Sequence, residues 1–471
     1  MKKLITAFLA LSLILGLCAC GGTEAPEGTT APASNLQIGF ARECITPDTP
    51  VPLAGYGNTT KRISTQVLDD IYLTCLAFSD GKNTVLLYTQ DLLISTNNWV
   101  PNLRATIQFD LGVPSENIMF AATNNHSGPD SRNKDAAMLQ FTEKYEAAVL
   151  KAATDAMNDL APAVLYSTTT NTEGMNFVRH YYLTDGSVAG EFYGDFSAAP
   201  IDRHTAEPDT EMVLVKADRP EGKKDILLMN YQVHPNLTSG EKKTDLCADF
   251  VGPTRDKIEA DTGMLCAYFT GATAELDPTS RIESEQHGMD YIAYGQKLAQ
   301  YAIDALPNMK LLEGDGIKVQ RLAYNCAVNH YDEELAAEAE RVVALWKETD
   351  IDTGNELARE LGLSSVFHAE VVAARPSRPD KKPIELNAFS VGGLGFVTAP
   401  YKMYSINGKY VKENSPMEAT FVLSEANEAW PNIAAKEAYA YGSYESDCSY
   451  YAEGMGERLA EIFVDMLELV R

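Results

Sequence analysis

The chain has 471 residues, with 66 acidic against 39 basic side chains and a formal net charge of −27. A nucleic-acid binder neutralises phosphate with clustered Lys and Arg, and the sequence holds no such patch, so that class of partner is excluded. Beyond the N-terminal segment no apolar run is long enough to span a bilayer, and the acidity reads as the self-repelling soluble surface of an exported protein.

The N-terminus reads as a targeting segment. Lys2 and Lys3 precede an almost wholly apolar run from Leu4 to Leu17, about the length of a signal-peptide core. Leu17-Cys18-Ala19-Cys20 has the form of a bacterial lipoprotein cleavage site. Residues 1–19 are therefore expected to be a signal peptide, with Cys20 acylated and the chain anchored by lipid on the extracytoplasmic side of the bacterial membrane. Residues 20–34 are small, polar and Pro-containing, which predicts a flexible tether. No second linker and no internal repeat divides residues 35–471, which predicts one large domain. Six further cysteines form no C-x-x-C pair; Cys75 and Cys266 sit in apolar runs as packed thiols, and no disulfide is assigned.

In chain order, Ile71–Phe78 and Thr84–Tyr88 read as strands joined by a hairpin turn at Asp80-Gly81. Asn117–Thr123 reads as a strand. Ala136–Leu160 reads as a helix, with Met138, Phe141, Tyr145, Val149 and Ala152 at helical spacing. Glu211–Lys216 and Asp225–Val233 are strands, Pro253–Asp261 a helix and Met264–Thr270 a strand. Met289–Leu306 and Glu333–Trp346 are helices. Ala388–Ala399 is strand material broken at Gly392-Gly393, and Gly456–Val470 is an amphipathic helix. The mixture predicts an α/β fold of mixed sheets flanked by helices.

Four apolar runs end in loops with reactive side chains. They lead into Asn124-Asn125-His126-Ser127-Gly128-Pro129, His234-Pro235, Gly271–Pro278 and Pro400-Tyr401-Lys402. Sites collect at the carboxyl ends of strands, so these four ends are expected to face one cleft. No G-x-S-x-G elbow, P-loop, H-E-x-x-H or dinucleotide fingerprint stands in a matching context.

At these loops, and in Ile38–Pro47, Asp69–Tyr72, Asn176–Arg179, Ala248–Gly252, Ala426-Asn427 and Gly442–Glu445, the order and spacing resemble the neutral, non-lysosomal ceramidase family. The resemblance implies the α/β catalytic domain of zinc amidases that split ceramide into fatty acid and sphingosine. It implies zinc held by two histidines, a glutamate and a tyrosine, with a bound water activated for attack. On those motifs the ligand positions are Asn124, His234, Lys402 and Asn432, so His234 is the one ligand retained. His126, Arg179 and Tyr444 match substrate-side positions, and Asp277 stands where the family has a serine implicated in catalysis. With an ammonium at a carboxylate position, no metal cofactor is expected. The family's C-terminal immunoglobulin-like domain is expected to be absent. Two functions follow: a ceramidase-like hydrolase of altered chemistry, or an inactive surface lipoprotein that holds a lipid or N-acyl ligand in the remnant cleft. In either case the Lys402 ammonium is expected beside His234, near the vacated metal position.

Overall fold

The hairpin forms where the turn chemistry places it. Tyr72–Ser79 pairs antiparallel with Thr84–Gln90, Gly81 takes a φ of +80°, and the Asp80 carboxylate accepts from the backbone N–H groups of Lys82 and Asn83. A computed structural model describes residues 35–56, 62–95, 99–190, 193–240, 243–282, 289–329, 333–374, 378–428 and 430–471. The expected signal peptide, Cys20 and the expected tether lie outside the described residues.

Three sheets form the frame. The first runs in the order Ile118–Ala122, Thr84–Gln90, Tyr72–Ser79, Gln37–Cys44, Ala161–Pro162. The second runs Leu265–Thr270, Ile226–Tyr231, Glu211–Asp218, Val164–Asn171, Lys310–Leu311. The third runs Ile317–Ala327, Lys381–Val391, Leu394–Thr398, Ala419–Leu423. Each sheet is antiparallel except for one parallel pair at its edge, formed by the Ile118, Leu265 and Ala419 strands with their neighbours.

One face of every sheet enters a shared core. Phe78, Leu87 and Met119 from the first meet Val215, Leu228 and Phe269 from the second and Phe389, Phe396 and Phe421 from the third. The Phe389 and Phe396 rings stack at 4.4 Å between centroids. Helices cover the other faces: Val100–Leu111 and Ala136–Asn158 on the first, Val251–Thr262 and Tyr291–Ala305 on the second, Met455–Val470 on the third. With both faces covered, the central strands are continuously apolar rather than alternating. The α/β class of mixed sheets flanked by helices is as expected.

The Ala136–Asn158 helix starts where Asp135 accepts from the N–H of Met138 at 3.0 Å. It buries Met138, Phe141, Tyr145, Val149 and Ala152, the stripe read from the sequence. Several helices escaped that reading, among them Val100–Leu111, Ser405–Asn414 and two that share one excursion. Ile351–Glu360 and Val366–Ala373 follow Glu333–Glu348 in the excursion between the strands Ile317–Ala327 and Lys381–Val391, and the three share a small core of their own around Trp346. The first of the two is mostly polar and holds Gly354; the second is rich in β-branched residues and reads locally as a strand.

Candidate functional site

The parallel edge pairs place the site. In a parallel pair both carboxyl ends point the same way, so each sheet delivers two loops to one end. Backbone hydrogen bonds then join the loops across sheets. Ala122 N–H donates to the Glu425 carbonyl at 3.3 Å, Ser424 N–H to Thr270 at 3.3 Å, Ala426 N–H to Ala399 at 2.9 Å and Ala274 N–H to Met403 at 3.0 Å. The Thr270 hydroxyl donates to the Thr123 carbonyl at 2.8 Å, and His126 N–H to Pro235 at 3.0 Å. The four loops singled out in the sequence therefore meet, together with a fifth after Ala419–Leu423.

His126 and His234 lie side by side, with ring centroids 5.1 Å apart. Tyr56 packs its ring edge-on to His126 at 5.6 Å. Gly55 sits beside it at φ +115°, and a Cβ there would come within 2.7 Å of His126 Nδ1. Neither ring nitrogen of His126 has a hydrogen-bond partner among the described residues. Burial first, then the nearby His234, Lys402, Arg179 and Arg62, hold His126 well below the usual imidazole range. His234 is pushed down to about 4 by burial, with Asp277 opposing and Arg179 and Lys402 adding to the shift. Both rings are thus neutral at pH 7. The Asn236 amide lies 3.1 Å from His234 Nε2 and donates to Asp277 Oδ1 at 3.0 Å. Asp277 Oδ1 lies 3.3 Å from the same Nε2.

Lys402 extends from the short strand Tyr401–Met403, which pairs with Trp430–Ile433 and so runs beside Asn432. Its Nζ lies 3.9 Å from Oε1 of Glu425. Glu425 is fully buried, holds a positive φ of 54°, and has no hydrogen bond to either carboxylate oxygen among the described residues. Burial raises it to about 7 against the pull of Lys402 and Arg132. Burial also lowers Lys402, with Glu425 opposing. The Lys402 charge adds to the lowering of both imidazoles. Asn124 is buried at a φ of +62°, a conformation Asn tolerates better than most residues. The side-chain carbonyls of Asn124 and Asn432 also lack partners among the described residues.

A third group flanks this centre. Arg179 binds Glu445 through Nε at 2.9 Å and through Nη2, donates to the Ala274 carbonyl at 3.0 Å, and brings Nη1 to 4.0 Å from Asp277. It lies 5.5 Å above the ring of Tyr444. Glu445 also faces His180 Nε2 at 2.9 Å. Burial alone would raise Glu445, but His180 and Arg179 override it and keep the group ionised. Sequence reasoning chose Tyr444 from this motif; its neighbour Glu445 makes the direct ion pairs. Glu425 was missed altogether, although it directly precedes Ala426-Asn427.

The zinc of the ceramidase family does not fit these residues. The four positions that the resemblance assigns to zinc ligands supply one imidazole, two amides and an ammonium. Zinc needs imidazole, thiolate or carboxylate donors, and a lysine charge repels a dication. No group of three or more His, Cys, Asp or Glu side chains among the described residues is placed to hold a metal. The retained His234 nitrogen already faces the Asn236 amide.

Comparison with known proteins agrees with this architecture. No family model matches the sequence, and no curated protein does. Among solved structures, neutral ceramidase from Pseudomonas aeruginosa superposes with a TM-score of 0.70 at 15% identity, covering 93% of this chain and 74% of that one. A ceramidase complexed with C2 superposes with a TM-score of 0.69 at 15% identity, covering 93% and 75%. The likeness establishes a ceramidase-type fold.

Proposed function

We propose that this protein binds a polar N-acyl ligand of ceramide-like chemistry in the strand-end site, and that it does so without zinc hydrolysis. The observation that carries the reading is the Lys402 ammonium beside buried Glu425, at a position that the family resemblance assigns to a metal ligand. The remaining groups support a ligand rather than a metal. Asn124, Asn432 and Glu425 offer acceptors with no partner among the described residues, and Lys402 offers a donor. A head group with N–H and O–H donors and one carbonyl complements that set. A neutral His234 of low basicity is a weak general base for attacking an amide, which needs strong activation. The sequence adds a lipid anchor at Cys20 to this proposal, which keeps the protein at a membrane surface where such ligands are found.

The test is a short-chain N-acylsphingosine, measured for binding by thermal shift and for cleavage by fatty-acid release, with and without added zinc. The expected result is a saturable rise in Tm and no release in either condition. Zinc-stimulated release would establish the hydrolase reading instead.

A further inference from the structure

A polar cavity lies beside the turn that follows Glu425. It has a volume of about 270 Å³ and is lined by Arg104 from the helix Val100–Leu111, Arg321 and Glu385 from the third sheet, and the turn Asn427-Glu428. That volume is just below the usual range for ligand pockets and suits a small molecule.

Arg104 is the central feature. Its residue is 6% exposed. Nε donates to the Ile118 carbonyl at 2.7 Å and Nη1 to Glu385 Oε1 at 2.9 Å. Nη2 has no acceptor among the described residues. A guanidinium buried to this degree normally uses its whole donor fork, because an unmatched donor forfeits its hydration without return. Glu385 cannot supply the missing acceptor alone, since it also pairs with Arg321 and accepts from the Asn387 amide at 3.0 Å. Burial by itself would raise Glu385, but Arg104, Asn387 and Arg321 hold it below the usual carboxylate range, so it is ionised. Two guanidiniums therefore share one carboxylate. Glu428 lines the same cavity, and its field is divided between Arg104 and Lys382.

We propose that this cavity is a binding site for a small oxyanion, a carboxylate or a phosphate, held by Arg104 and Arg321. Paired guanidiniums suit such groups because their planar forks match two oxygens at once. One wall, the turn at Asn427, is fixed by hydrogen bonds to Phe120 in both directions, N–H to carbonyl at 2.7 Å and side-chain carbonyl from N–H at 2.9 Å. The site is thus built on ordered backbone, two residues from Glu425.

Calorimetric titration of the full chain with acetate, succinate and inorganic phosphate, at fixed ionic strength, tests the assignment. Saturable binding of at least one is expected at millimolar concentrations or below. The half-exposed Arg321 permits Arg321→Gln without loss of the fold, checked by circular dichroism, and this variant is expected to bind about tenfold more weakly. Glu428→Gln is expected to bind more tightly, since it removes a like charge. A response to carboxylates alone, to phosphate alone or to both names the source. No saturable heat with any of the three, or binding unchanged in Arg321→Gln, overturns the proposal.

Discussion

Glu445 pairs with Arg179 and faces His180 Nε2 at 2.9 Å, with no exposed surface of its own. Removing one partner of a buried pair leaves uncompensated charge, so Glu445→Gln is expected to destabilise the protein by roughly 3–5 kcal/mol in denaturant unfolding. A loss well below that range would mean that water reaches Arg179. His234 gives a pH signature. Its folded pKa, about 4, lies below the unfolded value of about 6.5. Stability tied to its neutral form is therefore fully present above pH 6.5 and is lost as pH falls through 4. At its limit the effect is about 3 kcal/mol. His234→Gln should flatten that part of the stability profile, and an unchanged slope would place the titration elsewhere. At this scale the sequence was informative where motifs carried the residues. His126, His234, Asp277 and Lys402 could be named because polar loops follow apolar strands, and Arg179 through the family resemblance of Asn176–Arg179. Glu425 could not, since a lone glutamate after a strand reads as solvated surface, and only the fold buries it.

Elements were legible where the period was strong. The Ala136–Asn158 helix and the Tyr72–Gln90 hairpin announce themselves through spacing and turn chemistry. The helices Ile351–Glu360 and Val366–Ala373 did not, because their stability comes from one another and from Trp346 rather than from local propensity. Contact between elements is also invisible in sequence. Gly39, in the strand Gln37–Cys44, faces the helix Ala136–Asn158 so closely that a Cβ would stand 1.9 Å from the Ala156 carbonyl oxygen. Backbone cannot yield as a flexible side chain does, so Gly39→Ala should cost about 3 kcal/mol through a forced separation of helix and sheet. Thermal and denaturant melts of the variant measure it; a neutral substitution would show that this contact is looser than the structure has it.

For the whole molecule, the decisive property is convergence. Three sheets share one core, and each contributes a parallel edge pair whose loops meet at the same end. The sequence supports four such loops meeting, but no local pattern says which strands pair in parallel. The frame superposes on neutral ceramidase at a TM-score of 0.70, and the family resemblance read from the sequence implies zinc-ligand positions at Asn124, Lys402 and Asn432, none of which carries a good zinc donor. Elemental analysis of the purified chain, prepared without chelators and beside the Asn124→His/Lys402→Glu double variant, tests this directly. A parent without stoichiometric zinc is expected, and a variant that gains it, with His234 supplying the third ligand. One zinc per chain in the parent would contradict that expectation.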